Sequence, residues 1–372
     1  MDSRNKKLAM NIICNSISLK PGDNLLVEIT GEDGLELANE IIKQAKKINA
    51  NPILNLIRYK ELKEFLINSS KEKIIEYGKK DYNKMKNMQA YIGISAPTSD
   101  KSFEGVPQEK LEFYNKYYTA LVHLQQRVKH TRWCILRYPN EYFARKSNMT
   151  LTEFKNFYYN VCNVNYNKME IAMEPLQKLM NKTDKVHIVA PGTDLIFSIK
   201  GIPAEKYYGT FNIPDGEVAT CPIKDSVNGY ITYNTKTKYN DIMFENIRFE
   251  FVNGKIVKAI ADKNTKELNQ ILDTDNGARY IGEFAFGLNP YINNTICDTL
   301  FDEKINGSFH FTPGMSLEKS DNGNRSAIHW DIVKILRKEF GGGKIYFDNV
   351  LINKDGNFVL DELKLLNAEN LI

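Results

Sequence analysis

Four segments in the C-terminal half of the chain set acids and histidines among apolar and glycine residues, where a solvated side chain is out of place. Glu217 follows a Pro-Asp-Gly turn in FNIPDGEVATCP. In ARYIGEFAFGLNP, Tyr280, Gly282, Phe284 and Phe286 alternate with Ile281, Glu283, Ala285 and Gly287, so on a strand Glu283 shares its face with small or apolar residues. A carboxylate buried there without a cation is costly. Glu303 precedes a turn in TLFDEKINGSFHFTPG, and His310 lies between Phe309 and Phe311. In RSAIHWDIV, His329 and Asp331 are two residues apart. Extended backbone points both to one side and Ile328, Trp330 and Ile332 to the other; a helix would set the pair roughly 200° apart.

Each residue alone has an ordinary explanation: an acid after a turn is usually solvated, and a histidine between aromatics is usually a hydrogen-bonded core residue. The set is harder to dismiss. The chain has 5 histidines and two of them fall here. His123, His130 and His187 are read as structural or surface residues, and Cys221, near Glu217, has no evident thiolate partner. Two imidazoles with three or four carboxylates suit Zn²⁺, Mn²⁺ or Co²⁺ better than a thiolate zinc site or an all-oxygen calcium cage. That many acids exceed what one ion needs. Two ions about 3.5–4 Å apart, sharing one bridging acid, account for the surplus and favour amide hydrolysis.

These residues need a scaffold, and the 372-residue chain is long enough for two domains. The first half alternates short apolar strands, NLLVEIT (24–30), PILNLI (52–57), AYIGISA (90–96) and WCILRYP (133–139), with helical stretches at 34–48, 60–84, 107–121 and 151–180. KVHIVAP (185–191) reads as the last strand of that series. This is the pattern of βαβ units around an open parallel sheet. It carries no GxGxxG after its first strand and no Walker loop. The second half loses helical periodicity and fills with short strands and turn signals, including a tight hairpin where RFEFV meets NGKIV. The expected fold class is α/β: an N-terminal open parallel-sheet α/β domain (1–180), then a β-rich α+β metal-binding catalytic domain (181–372).

Composition narrows the function. The net charge is +4, from 50 basic and 46 acidic residues spread along the chain, which argues against nucleic acid as partner. The 5 cysteines are odd in number and widely spaced, as expected for free thiols in a reducing compartment. No apolar run approaches the ~20 residues of a membrane span, and no secretory signal pattern opens the chain. A cytoplasmic location without membrane partners is the expectation.

The chain resembles the aminopeptidase T / aminopeptidase S family of dinuclear metallo-aminopeptidases. The likeness is densest from WCILRYPNEYFA through GTDLIFSIKG to the tail GGGKIYFDNVLINKDGNFVLDELKLLN, with the NIPDGE, IGEFAFG, LFDEK…H and HWD blocks in family order. The resemblance implies a homodimer, two divalent ions (Zn²⁺ foremost, Co²⁺ or Mn²⁺ compatible) and removal of single residues from peptides with a free N-terminus. It implies Glu217, Glu283, Glu303, His310, His329 and Asp331 as metal ligands, Glu283 as the bridge, and Glu217 and Glu283 as catalytic. One departure stands out: Leu317 occupies the position, seven residues after His310, where the family tends to place Tyr. A metal-binding protein without peptidase activity, or a two-metal hydrolase of another small amide or ester, are the alternatives.

Overall fold

The computed structural model describes residues 2–372. The chain forms two compact units, Met1–Asn163 with Gly209–Ile213, and Val164–Tyr208 with Pro214–Ile372.

The first unit is built on a five-stranded sheet in the order Asn51–Ile57, Asn24–Thr30, Ala90–Ser95, Arg132–Arg137, Asn212–Ile213, with every pair parallel. Helices cover it, so its central strands are apolar on both faces, as in Leu25, Leu26, Val27 and Ile29. The exception is Glu28, which is buried and accepts hydrogen bonds from the Tyr91 hydroxyl (2.9 Å) and Asn55 Nδ2 (2.9 Å). The helical stretch opened by Pro107 runs from Gln108 to His130 and is π-helical over Asn115–Arg127.

Two sequence expectations are corrected. Lys185–Ala190 does not close the parallel sheet; it pairs antiparallel with Thr193–Ser198 and Lys344–Phe347 in the second unit. The fifth place belongs to Asn212–Ile213, whose two residues are too short to show a strand period. The stretch 151–180 is two helices, Leu151–Cys162 and Tyr166–Met180. The break falls where the Asn165 side chain caps the second helix by accepting from Lys168 N (3.1 Å). That second helix belongs to the second unit, where it packs against Glu205–Tyr207 and Asp361–Leu366, so the units part at Asn163 rather than near 180.

The second unit stacks two antiparallel sheets. The larger has eight strands; the smaller runs Val333–Ile335, Ser308–Pro313, Ile281–Gly287, Glu217–Thr220, Glu205–Tyr207. The predicted hairpin is present, with Val252 opposite Lys255. In the small sheet the register sets Phe284 opposite Phe311 and Phe286 opposite Phe309. These four rings point to the larger sheet, where Phe284 and Phe311 each lie 5.1 Å from the Phe197 ring and Phe286 lies 5.4 Å from Phe358. Burying each ring contributes roughly 1.5–3 kcal/mol, with a further ~0.5–1.5 kcal/mol per favourable ring pair. The phenylalanine layer therefore fixes which face of the small sheet is core and which carries the acids and histidines.

Candidate metal centre

The opposite face of the small sheet follows from the same alternation. Ala219 lies opposite Ala285, and Ala285 opposite His310; Glu217 lies opposite Gly287, and Glu283 opposite Thr312. Glu217, Glu283 and His310 thus rise from a floor of alanine and glycine. The small residues leave room for long polar side chains and for the loop that crosses above them. A Cβ on Gly287 would stand 2.3 Å from the Ile305 carbonyl oxygen, so this close approach requires glycine. At the end of the His310 strand, Gly314 has φ +111° and pairs as an isolated bridge with His329. The HWD block is extended rather than part of a regular strand, and the bridge sets His329 and Asp331 beside the sheet.

Two groups of potential ligand atoms result, each with all its atoms within 4.8 Å: Glu217, Glu283 and His310; and Glu283, His329 and Asp331. Glu283 belongs to both. Its Oε1 is 3.3 Å from His310 Nε2 and its Oε2 is 3.0 Å from His329 Nε2. Glu217 Oε2 is 3.5 Å from His310 Nε2, and Asp331 Oδ1 is 3.2 Å from His329 Nε2. Five of the six residues singled out from sequence therefore converge. Glu303 is beside them but in neither group; its Oε1 is 2.7 Å from Lys304 Nζ.

The surroundings fix these side chains. His329 Nδ1 donates to the Met315 carbonyl (2.8 Å), which leaves the Nε2 lone pair of the neutral ring facing two carboxylates. Thr312 Oγ1 donates to Asp331 Oδ1 (2.8 Å). The charges pull the titrations apart. Burial pushes the Glu217 carboxyl up to about 7 and the Glu303 carboxyl well above the usual range. Burial acts the same way on Glu283 and Asp331, but hydrogen bonds and charge from the histidines hold both below it. Burial alone would lower the histidines; the adjoining carboxylates instead raise His310 to about 9 and His329 well above its ordinary value. Each imidazole holds its proton because the place between it and the carboxylates favours positive charge.

The sequence reading missed three further residues. Lys304 is buried, with Nζ 2.5 Å from Glu217 Oε1 and 3.6 Å from Asp215 Oδ1. Asp215, in the turn before Glu217, is buried too. Tyr207 lies directly opposite Glu217; burial, then the charges of Glu283 and Glu217, raise its phenol and keep it protonated. Lys304 follows a quoted acid and Asp215 sits inside a quoted block, yet a lysine or a turn aspartate is read as solvated by default. Tyr207 left no signal, because its three-residue strand has no detectable period.

The residues fit divalent cations. Glu217 Oε2 is buried without a hydrogen-bond partner and faces His310 Nε2, as an oxygen awaiting a cation would. In the form that binds metal, with the acids Asp215, Glu217, Glu283, Glu303 and Asp331 all ionised and both imidazoles neutral, the one ammonium of Lys304 leaves a formal charge of −4. Two divalent ions would cancel it.

A buried carboxylate–imidazole cluster of this composition, on the sheet face opposite the phenylalanine layer, could hold divalent metal ions. The chain belongs to the M29 family: residues 1–358 match the family described as thermophilic metalloprotease. It is 25% identical over 382 residues to aminopeptidase PepS of Streptococcus thermophilus, spanning 88% of this chain and 91% of that one. It is 30% identical over 164 residues to aminopeptidase AmpS of Bacillus subtilis, spanning 40% of this chain and 39% of that one. The solved structure of AmpT from Thermus thermophilus shares the fold, with a TM-score of 0.73 at 20% identity over 96% of this chain and 99% of that one. The enzyme is thus a metal-dependent hydrolase acting on peptide bonds.

Proposed function

We propose that this metallopeptidase is an aminopeptidase in which Glu217, Glu283 and His310 hold one divalent ion, Glu283, His329 and Asp331 hold a second, and Glu283 bridges them. The observation that carries the reading is the double membership of Glu283, one oxygen facing each histidine. The names of the relatives support the aminopeptidase activity. The donor set, oxygen and imidazole without thiolate, suits Zn²⁺ first and admits Co²⁺ or Mn²⁺.

Two ions bound there supply Lewis acidity for the scissile carbonyl and bring water toward a neutral pKa. The protein's own part is placement and proton handling. Glu283 is the shared anion that fixes both halves of the centre. Glu217 turns its one oxygen free of hydrogen bonds, Oε2, to the centre; it would take and return the proton only while that oxygen is not committed to an ion. The requirement for a free N-terminus comes from the amine binding an ion or one of the acids, which an acylated end does not do. His329 is the open member, with 33% of its side-chain surface exposed, so the peptide approaches from its side. The Phe layer beneath and the buried Glu217–His310 wall exclude water from below.

The five cysteines are unpaired, which supports the cytoplasm as the compartment. No helix among the described residues is long and apolar enough to cross a membrane. A homodimer completes the reading, with peptide as the partner and nucleic acid as none. The test is metal analysis of the purified protein beside hydrolysis of aminoacyl anilides with free and acetylated amines. Chelator should abolish turnover and Zn²⁺ or Co²⁺ restore it; turnover that survives chelation, or equal turnover of the acetylated substrate, refutes the reading.

A further inference from the structure

We propose that Lys304 is a positioning residue of the metal centre: its ammonium takes one oxygen of Glu217, turns the other toward His310, and holds Glu303 out of the ligand set. This rests on the two-ion reading above.

The geometry is that of an ammonium enclosed by acids. An ammonium has three donors. Lys304 Nζ faces three acids, Glu217 Oε1 at 2.5 Å, Glu303 Oε1 at 2.7 Å and Asp215 Oδ1 at 3.6 Å, with only 1% of its side chain exposed. The framework on both sides is fixed by one residue. Asn289 N donates to the Lys304 carbonyl (3.0 Å), and Asn289 Nδ2 donates to the Asp215 carbonyl (2.9 Å). Asp215 Oδ1 also accepts from Gly216 N (2.9 Å). The ammonium therefore stands at a set point above the sheet and is a permanent charge, not a mobile proton carrier.

Three consequences follow. Glu217 presents a single oxygen to the centre, because its other oxygen is engaged; the free one is Oε2, buried without a partner. Glu303, drawn to the ammonium, lies outside both groups that share Glu283. Lys304 also offsets acid charge whether or not ions are bound, because its ammonium belongs to the chain. A purely structural salt bridge would have neither of the first two effects. Its removal would change stability and leave ion binding alone.

The experiment uses the full chain stripped with chelator and titrated with Co²⁺, followed by calorimetry and by the d–d absorption of the bound ion. Wild type should take up two ions. Lys304→Gln keeps an N–H donor, on a side chain one atom shorter and without the charge, and Lys304→Met removes the donor as well. Each should weaken one binding step by about 10–100-fold, the usual cost of losing a group that orients a ligand. The other step should stay within about threefold, and the absorption should change for the affected ion only, Met more than Gln. Glu303→Gln should bind both ions within about threefold of wild type. Unaltered binding in both lysine variants, equal weakening of both steps, or tenfold weakening in Glu303→Gln overturns the proposal. If the lysine variants do not fold, as circular dichroism would show, Glu303→Gln decides alone. A wild-type chain that takes up fewer than two ions refutes the two-ion reading and this proposal with it; two ions in wild type with normal binding in Lys304→Gln and Lys304→Met refutes the proposal only.

Discussion

Replacing Glu283 by Gln tests the centre at its shared member. The substitution keeps the shape and exchanges one acceptor oxygen for an amide nitrogen that accepts nothing. Glu283 Oε1 faces His310 Nε2 at 3.3 Å and Oε2 faces His329 Nε2 at 3.0 Å, so whichever way the amide turns, one ion position loses its donor. Hydrogen bonds and contacts to a charged group are worth about 1.5–3 kcal/mol, or roughly 10- to 150-fold in affinity for that position. The other position keeps an oxygen but loses a full negative charge, and the cluster falls from −4 to −3 while buried. Compounded, these losses should lower kcat/KM by at least about 10²-fold and the metal content from two ions per chain to one or fewer. The assay is leucyl anilide hydrolysis at saturating Zn²⁺ or Co²⁺, with metal content measured after dialysis and circular dichroism as the control for folding. A folded Glu283→Gln protein with two ions and more than a tenth of wild-type activity would refute the bridge and the reasoning that placed it.

Other expectations concern the scaffold. Phe284→Ala should cost about 3–5 kcal/mol in chemical denaturation, since the ring is fully buried and packs on Phe197, Phe286, Phe309 and Phe311; a loss under 1 kcal/mol would mean the layer can collapse around the gap. Gly287→Ala should push the 303–306 loop off the sheet, because its Cβ would stand 2.3 Å from the Ile305 carbonyl oxygen, and metal uptake should fall with it; unchanged metal content would show that the loop gives way freely. Lys334 is buried and donates to the carbonyls of Thr232 (2.6 Å) and Pro191 (3.2 Å), and burial lowers its ammonium to about 8. Between that value and the ordinary 10.5 the unfolded chain holds a proton the fold has released, so stability from this group rises with pH. Wild type should gain on the order of 3 kcal/mol over Lys334→Met from pH 8 to 10.5, and a flat difference in denaturation would contradict the assignment.

The convergence of Glu217, Glu283, His310, His329 and Asp331 was easier to anticipate than the framework, for a physical reason. Glu283 and His310 are polar residues among small and apolar ones, and His329 and Asp331 share one side of an extended stretch whose other side is apolar; both patterns are visible without any structure. The βαβ order of the first unit was equally plain, because parallel strands buried on both faces are runs of apolar residues. What failed were short or borrowed elements. Lys185–Ala190 looks like the strands before it, yet its partners lie at 193–198 and 344–347, and no local pattern announces pairing over some 150 residues. The second helix of the 151–180 stretch was assigned to the wrong unit, because its amphipathic face does not say which sheet it covers. Lys304 was missed because a lysine is taken as solvated unless its burial is known.

That last omission bears on how such a centre is held together. Gathering five acids around one face of a sheet is unfavourable before any ion arrives, since each burial raises the cost of the next charge. The structure meets the cost in two separate ways. Around His310, His329, Glu283 and Asp331 the compensation is exchangeable: imidazoles hold protons there, and in the two-ion reading a divalent ion would take their place. Around Glu217, Glu303 and Asp215 it is covalent to the chain, an ammonium fixed by the Asn289 clamp. In the two-ion reading, a permanent cation on one side lets the fold form without metal, while the carboxylates and imidazoles on the other favour metal once it has formed. The metal-free chain should therefore be folded and able to take up its ions, with the Glu217 carboxylate already turned to receive them.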